Sequence, residues 1–102
     1  MKLLTLIIHR AATQDLIDSL LCHERVSGFT TYEGHGHSCR TCENPFETTE
    51  DLVTGRVPRA RVDVLLEDDA VDVVLEALQQ CDSCAAGLGI WWVTPVERGG
   101  AL

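Results

Sequence analysis

The residues most capable of chemistry cluster in His35-Gly36-His37-Ser38-Cys39-Arg40-Thr41-Cys42, which packs two imidazoles and two thiols into eight residues. A second thiol pair, Cys81-Asp82-Ser83-Cys84, follows later beside a glycine-containing turn. Each Cys-x-x-Cys pair can chelate from a tight turn, and two such pairs fall in the spacing class of tetrahedral zinc sites. Thiolate and imidazole donors suit zinc or copper(I) better than magnesium or calcium. The candidate metal ligands are therefore His35, His37, Cys39, Cys42, Cys81 and Cys84. A redox reading uses two of the same residues: Cys39 and Cys42 can close a reversible disulfide, and Arg40 between them favours the thiolate. The third reading is that the cysteines are reduced spectators. Thioredoxin-like catalysis is disfavoured, because the pair does not open a helix after the first strand.

The remaining titratable residues have plainer readings. Cys22 sits near an apolar helix face and is expected to be a small buried hydrophobe. His23 beside it is expected to be solvated, and His9, ending the first strand, to be structural. The acids Glu43, Glu47, Glu50 and Asp51 read as a solvated loop face. No nucleophile with a paired base and an orienting acid can be read from the chain. The expectation is a protein that is not an enzyme.

The elements that must position these residues follow from hydrophobic patterning. Residues 2–9 are rich in Leu and Ile and read as a buried strand. Thr13 is a candidate cap for a helix starting near Gln14, with Leu16, Ile17, Leu20 and Leu21 on its apolar face. Residues 26–32 read as a second strand. From Glu33 to Val57 the apolar pattern disappears among Gly34, Gly36, Asn44, Pro45 and Gly55, and a loop of that length in so small a domain signals function or disorder. Residues 59–66 form a third strand. Glu67-Asp68-Asp69 suit the positive end of a second helix through Gln80, buried through Val71, Val74, Leu75 and Leu78. Residues 81–89 form a turn, and 90–96 a last strand carrying Trp91 and Trp92 on opposite faces. The order β-α-β-β-α-β is the ferredoxin-like split unit, an α+β fold in one domain spanning residues 1–102.

Composition narrows the partners. The chain has 102 residues and a formal net charge of -8, a poor match for nucleic acid or an anionic membrane surface. Apolar runs are too short to cross a bilayer. The apolar start, Met1 to Ile8, is followed at once by His9-Arg10 with no small-residue cleavage site, so it reads as a strand in a cytoplasmic protein rather than a signal peptide. Five cysteines, an odd number, argue against a fully paired disulfide framework.

Three segments carry a resemblance. Val26-Ser27-Gly28-Phe29-Thr30-Thr31-Tyr32-Glu33 is similar to the second strand of the PII signalling proteins. Pro58-Arg59-Ala60-Arg61-Val62-Asp63-Val64-Leu65-Leu66-Glu67-Asp68-Asp69-Ala70-Val71-Asp72 resembles that family's third strand and helix start almost position for position. Gly87-Leu88-Gly89-Ile90-Trp91-Trp92-Val93-Thr94-Pro95-Val96-Glu97 is similar to its last strand. The resemblance implies a homotrimer with a long T-loop, here about residues 37–57, that docks on a membrane transporter or other protein. It also implies clefts between subunits for an adenine nucleotide, touched here by Gly28, Phe29, Thr30, Gly36, Arg40, Arg59, Leu65, Gly87 and Gly89. In such a trimer Cys39 and Cys42 would approach Cys81 and Cys84 of a neighbour.

The departures redirect the ligand. Ile90 stands where the family has a phosphate-binding lysine, and the family's C-terminal arginines lie beyond Leu102. A triphosphate would be poorly compensated, so AMP or ADP fits better than ATP. The family's modified tyrosine motif is absent, since Tyr32 precedes the loop. The pattern looks most like a PII-like subgroup encoded beside heavy-metal efflux pumps. The sensor it implies responds to a transition metal or an adenine nucleotide. Its rivals are a regulator of inorganic-carbon uptake binding AMP, ADP or bicarbonate, and a module that buffers or delivers metal.

Overall fold

Leu4, Leu6 and Ile8 alternate along Lys2–His9, and their burial on one side fits this segment as an interior strand, β1. In the computed structural model, which describes residues 1–37, 56–81 and 89–102, β1 is followed by helix α1 (Arg10–Cys22), strands β2 (Thr30–His37) and β3 (Arg56–Leu66), a single 3-10 turn (Asp68–Ala70), helix α2 (Val71–Gln80) and strand β4 (Gly89–Pro95). The sheet order is β2-β3-β1-β4, and every pairing is antiparallel. Two helices against one four-stranded antiparallel sheet make an α+β fold compatible with the ferredoxin-like class.

Register places Leu4 opposite Val64 and Leu6 opposite Val62. These residues meet Ala12, Leu16 and Leu20 of α1 and Val71, Val74, Leu75 and Leu78 of α2 in one core. Each fully buried aliphatic side chain is worth about 1.5–3 kcal/mol by its removal from water, so the two helices are held chiefly by this shared face.

Three boundaries differ from the sequence reading. α1 begins at Arg10, one turn before Gln14. His9 and not Thr13 is its cap: His9 Nδ1 accepts from the Ala11 amide at 3.0 Å, and the Thr13 hydroxyl donates to the His9 carbonyl at 3.1 Å. The buried stripe is accordingly Ala12, Leu16 and Leu20, four residues apart, while Leu21 is 70% exposed because it lies a further step of roughly 100° around the helix. Cys22 is exposed as well, not buried.

β2 occupies 30–37 rather than 26–32. Val26 and Phe29 pack against the core without belonging to a strand. His35 and His37, expected on a loop, are strand residues paired with Pro58 and Arg56. β3 likewise starts at Arg56. Pro58 is tolerated there because the β1 ladder stops at His9 opposite Arg59, so at Pro58 the strand has a neighbour on one side only.

Candidate functional site

The two faces of the sheet differ. Helices cover the side of Leu4, Leu6, Val62 and Val64. The other side presents Ile90 at 63%, Trp92 at 39% and Leu65 at 36% exposure. Polar residues stand among these apolar ones by strand alternation. The Thr5 hydroxyl donates to Asp63 Oδ1 at 2.9 Å, Arg61 Nε donates to the same oxygen at 3.1 Å, and the Arg61 guanidinium lies 5.9 Å from the Tyr32 ring centroid, within cation–π reach. The alternation Arg59-Ala60-Arg61-Val62-Asp63-Val64 carries this network in the sequence, but Thr5 and Tyr32 join it only through pairing.

Concavities at opposite ends of this face involve the described residues. One, of ≈ 470 Å³, lies at the base of the β2–β3 hairpin and is lined by residues including Tyr32, Gly36, Arg59 and Arg61. The other, of ≈ 320 Å³, lies at the opposite end near Met1, Arg25, Gly28, Leu65 and Gly100. The expected nucleotide residues are thus divided within one chain: Gly36 and Arg59 at the first, Gly28 and Leu65 at the second. Phe29 packs on the core, and Thr30 opens β2 opposite Asp63. Gly89 pairs with Ile8, and a Cβ there would stand 2.7 Å from the Ile7 carbonyl oxygen, so this position has a packing reason to be glycine. Arg40 and Gly87 lie outside the described residues.

His35 and His37 are both exposed on β2. Cys81 caps the C-terminus of α2 and is disulfide-bonded, a form that offers no thiolate to a metal. Cys39, Cys42 and Cys84 lie outside the described residues. Among the described residues no three His, Cys, Asp or Glu side chains converge on one point. The acids before α2 are engaged locally: Asp69 pairs with Arg25 at 2.6 Å, and Asp68 meets the Met1 α-amino group at 2.6 Å. The hydrogen bond from that amine, aided by its charge and that of Lys2, holds the Asp68 carboxyl below the usual carboxylate range. Among the described residues no helix is long and apolar enough to cross a membrane.

Among the described residues, fold and face together define an α+β domain with helices on one face of the sheet and none on the other. The family described as "Protein of unknown function (DUF3240)" matches residues 1–102, and the chain belongs to that family. The crystal structure of a DUF3240 family protein from Shewanella baltica OS155, at 2.40 Å resolution, is similar with a TM-score of 0.76 and 22% identity, covering 99% of this chain and 94% of that one. At this identity the likeness establishes the fold alone. No curated protein matches the chain.

Proposed function

We propose that this chain is a non-enzymatic regulatory protein of the PII-like kind. It assembles as a homotrimer, and the segment between β2 and β3, the counterpart of a T-loop, responds to a small ligand. That ligand is a transition metal or an adenine nucleotide, and the response controls a membrane transporter of the heavy-metal efflux class. The carrying observation is the hairpin: β2 and β3 remain paired out to His37 opposite Arg56, beyond the end of β1 at His9, opposite Arg59. A two-stranded arm past the end of β1, with the exposed His35 and His37 on it, is a place that a partner can reach. The exposed apolar residues Leu65, Ile90 and Trp92 on one sheet face support self-association, and the division of Gly28 and Leu65 from Gly36 and Arg59 fits a cleft shared between two copies. The ligand acts by binding one state of the arm better than another, which shifts its population.

The test is light scattering after size exclusion, with thermal shift against zinc, AMP, ADP and ATP. The expected results are a trimer mass, loss of that mass in Trp92→Glu, and a rise in apparent stability with zinc, AMP or ADP. A wild-type monomer that no ligand stabilises would sink the reading. A second reading, a thiol redox switch, is favoured by the disulfide at Cys81. It expects trimer or partner binding to change on mild reduction with no metal present.

A further inference from the structure

We propose that His35 and His37 form a two-imidazole chelate for a borderline divalent cation, copper(II), nickel(II) or zinc(II), on the β2 arm, and that this site needs no cysteine. The inference deepens the ligand half of the regulatory reading and rests on it only for its consequence, not for the binding. The strand places the two residues. Their separation of two positions puts both side chains on one face of β2, with Cβ atoms about 7 Å apart. Imidazoles at that spacing can turn towards a shared ion with bonds of about 2.0–2.1 Å.

The histidine inventory singles out this pair. Of four histidines, His9 is buried with Nδ1 accepting from Ala11, and His23 Nδ1 accepts from the Arg25 amide at 3.1 Å. His35 and His37 are exposed, and neither has a hydrogen-bond partner among the described residues. Their backbone is fixed by the ladder, with His35 opposite Pro58 and His37 opposite Arg56, so chelation orders few additional bonds. Register puts them on the side of Val62 and Val64, and both residues are exposed there. Glu33 precedes them on the same face, and a net charge of -8 draws a cation and not an anion. Two neutral nitrogen donors with water completing the shell select copper(II), nickel(II) or zinc(II) over magnesium or calcium, and without thiolate they do not select copper(I).

The test uses the full chain with its thiols blocked by N-ethylmaleimide. Nickel(II) titration by calorimetry is expected to show one ion per chain, and copper(II) electron paramagnetic resonance two coordinated nitrogens. His35→Ala or His37→Ala should each weaken nickel binding about tenfold or more, while His23→Ala leaves it unchanged. Both substituted positions are exposed, so trimer mass and thermal midpoint are expected to stay at wild-type values, and this confirms that the variants fold. Nickel binding that survives His35→Ala/His37→Ala, or that disappears from the wild type once thiols are blocked, overturns the site. Binding that follows the two histidines in a chain that never assembles keeps the site and sinks the regulatory reading instead.

Discussion

The Thr5 hydroxyl and the Asp63 carboxylate meet at 2.9 Å across the β1–β3 ladder, where the two residues are direct partners. Thr5 is fully buried although it lies on the face without helices. Trp92 is its partner on the other side, in β4, so the hydroxyl sits in the middle of three strands. Asp63 also holds Arg61, and the carboxylate therefore has two donors. Thr5→Val keeps the volume and removes one donor, with an expected loss of about 1 kcal/mol. Asp63→Ala strands the buried hydroxyl and releases Arg61, with an expected loss of about 2 kcal/mol. Urea denaturation measures both, and a Thr5→Val more damaging than Asp63→Ala would contradict the assignment of the carboxylate as the hub.

Asp68 gives a pH dependence with a definite sign. Its folded pKa lies below the ordinary value of 3.8, first through the hydrogen bond from the Met1 amine. A depressed carboxylate contributes stability that is fully present above its unfolded pKa and is lost as pH falls through the folded one. The affected window is therefore at and below that ordinary value. Asp68→Asn is expected to flatten the acid limb of the stability curve between about pH 4 and about pH 2, with stability slightly below wild type at neutral pH and the two curves converging at the acid end; the difference is small because the carboxylate is solvent-exposed and screened. Equal acid limbs in the two proteins would remove the amine–carboxylate pair from the account.

Legibility followed the physics of each element. β1 and the buried face of α2 were readable because Leu4, Leu6, Ile8 and Val71, Val74, Leu75, Leu78 carry strong periods of their own. Only the start of β2 is readable, within the strand expected at 26–32; its extension to His37 is not, because Gly34, Gly36, His35 and His37 have poor strand propensity. Their conformation comes from the ladder to β3, a non-local term that no local window contains. The clue available was the length of the partner: a strand with Arg59, Arg61 and Asp63 on one side needs a neighbour along its full extent. The start of α1 is hidden for a different reason, since a histidine is an uncommon cap. The His-x-His pair was visible as composition, but its geometry as a strand chelate appeared only once β2 was extended.

The cap at His9 predicts an ordered pair of effects. His9→Ala removes the acceptor for the Ala11 amide and the packing of a ring that is almost fully buried. The expected cost is about 2 kcal/mol, of which the cap supplies roughly half. His9→Asn restores a side-chain oxygen at the cap but not the ring, and should recover about 1 kcal/mol. Chemical denaturation of the three proteins checks the order wild type, Asn, Ala. Should Asn be no better than Ala, packing alone would account for the residue and the cap would carry no weight.

Two glycines separate packing from ligand binding. A Cβ at Gly89 would stand 2.7 Å from the Ile7 carbonyl oxygen, whereas at Gly28 nothing lies within 4 Å. The first neighbour is backbone held by the β1–β4 ladder, one pair from its end, and cannot swing aside, so Gly89→Ala is expected to cost about 1–3 kcal/mol as an overpacked site. Gly28→Ala meets open space, and the change should stay within about 0.5 kcal/mol. That contrast makes Gly28 the informative probe of the nucleotide reading. If AMP or ADP lies against its backbone, Gly28→Ala weakens the nucleotide-induced thermal shift while the unliganded midpoint stays put. If the shift survives unchanged in Gly28→Ala, the nucleotide does not touch this concavity, and the adenine-nucleotide half of the proposed function loses its place on the Gly28–Leu65 side of the sheet.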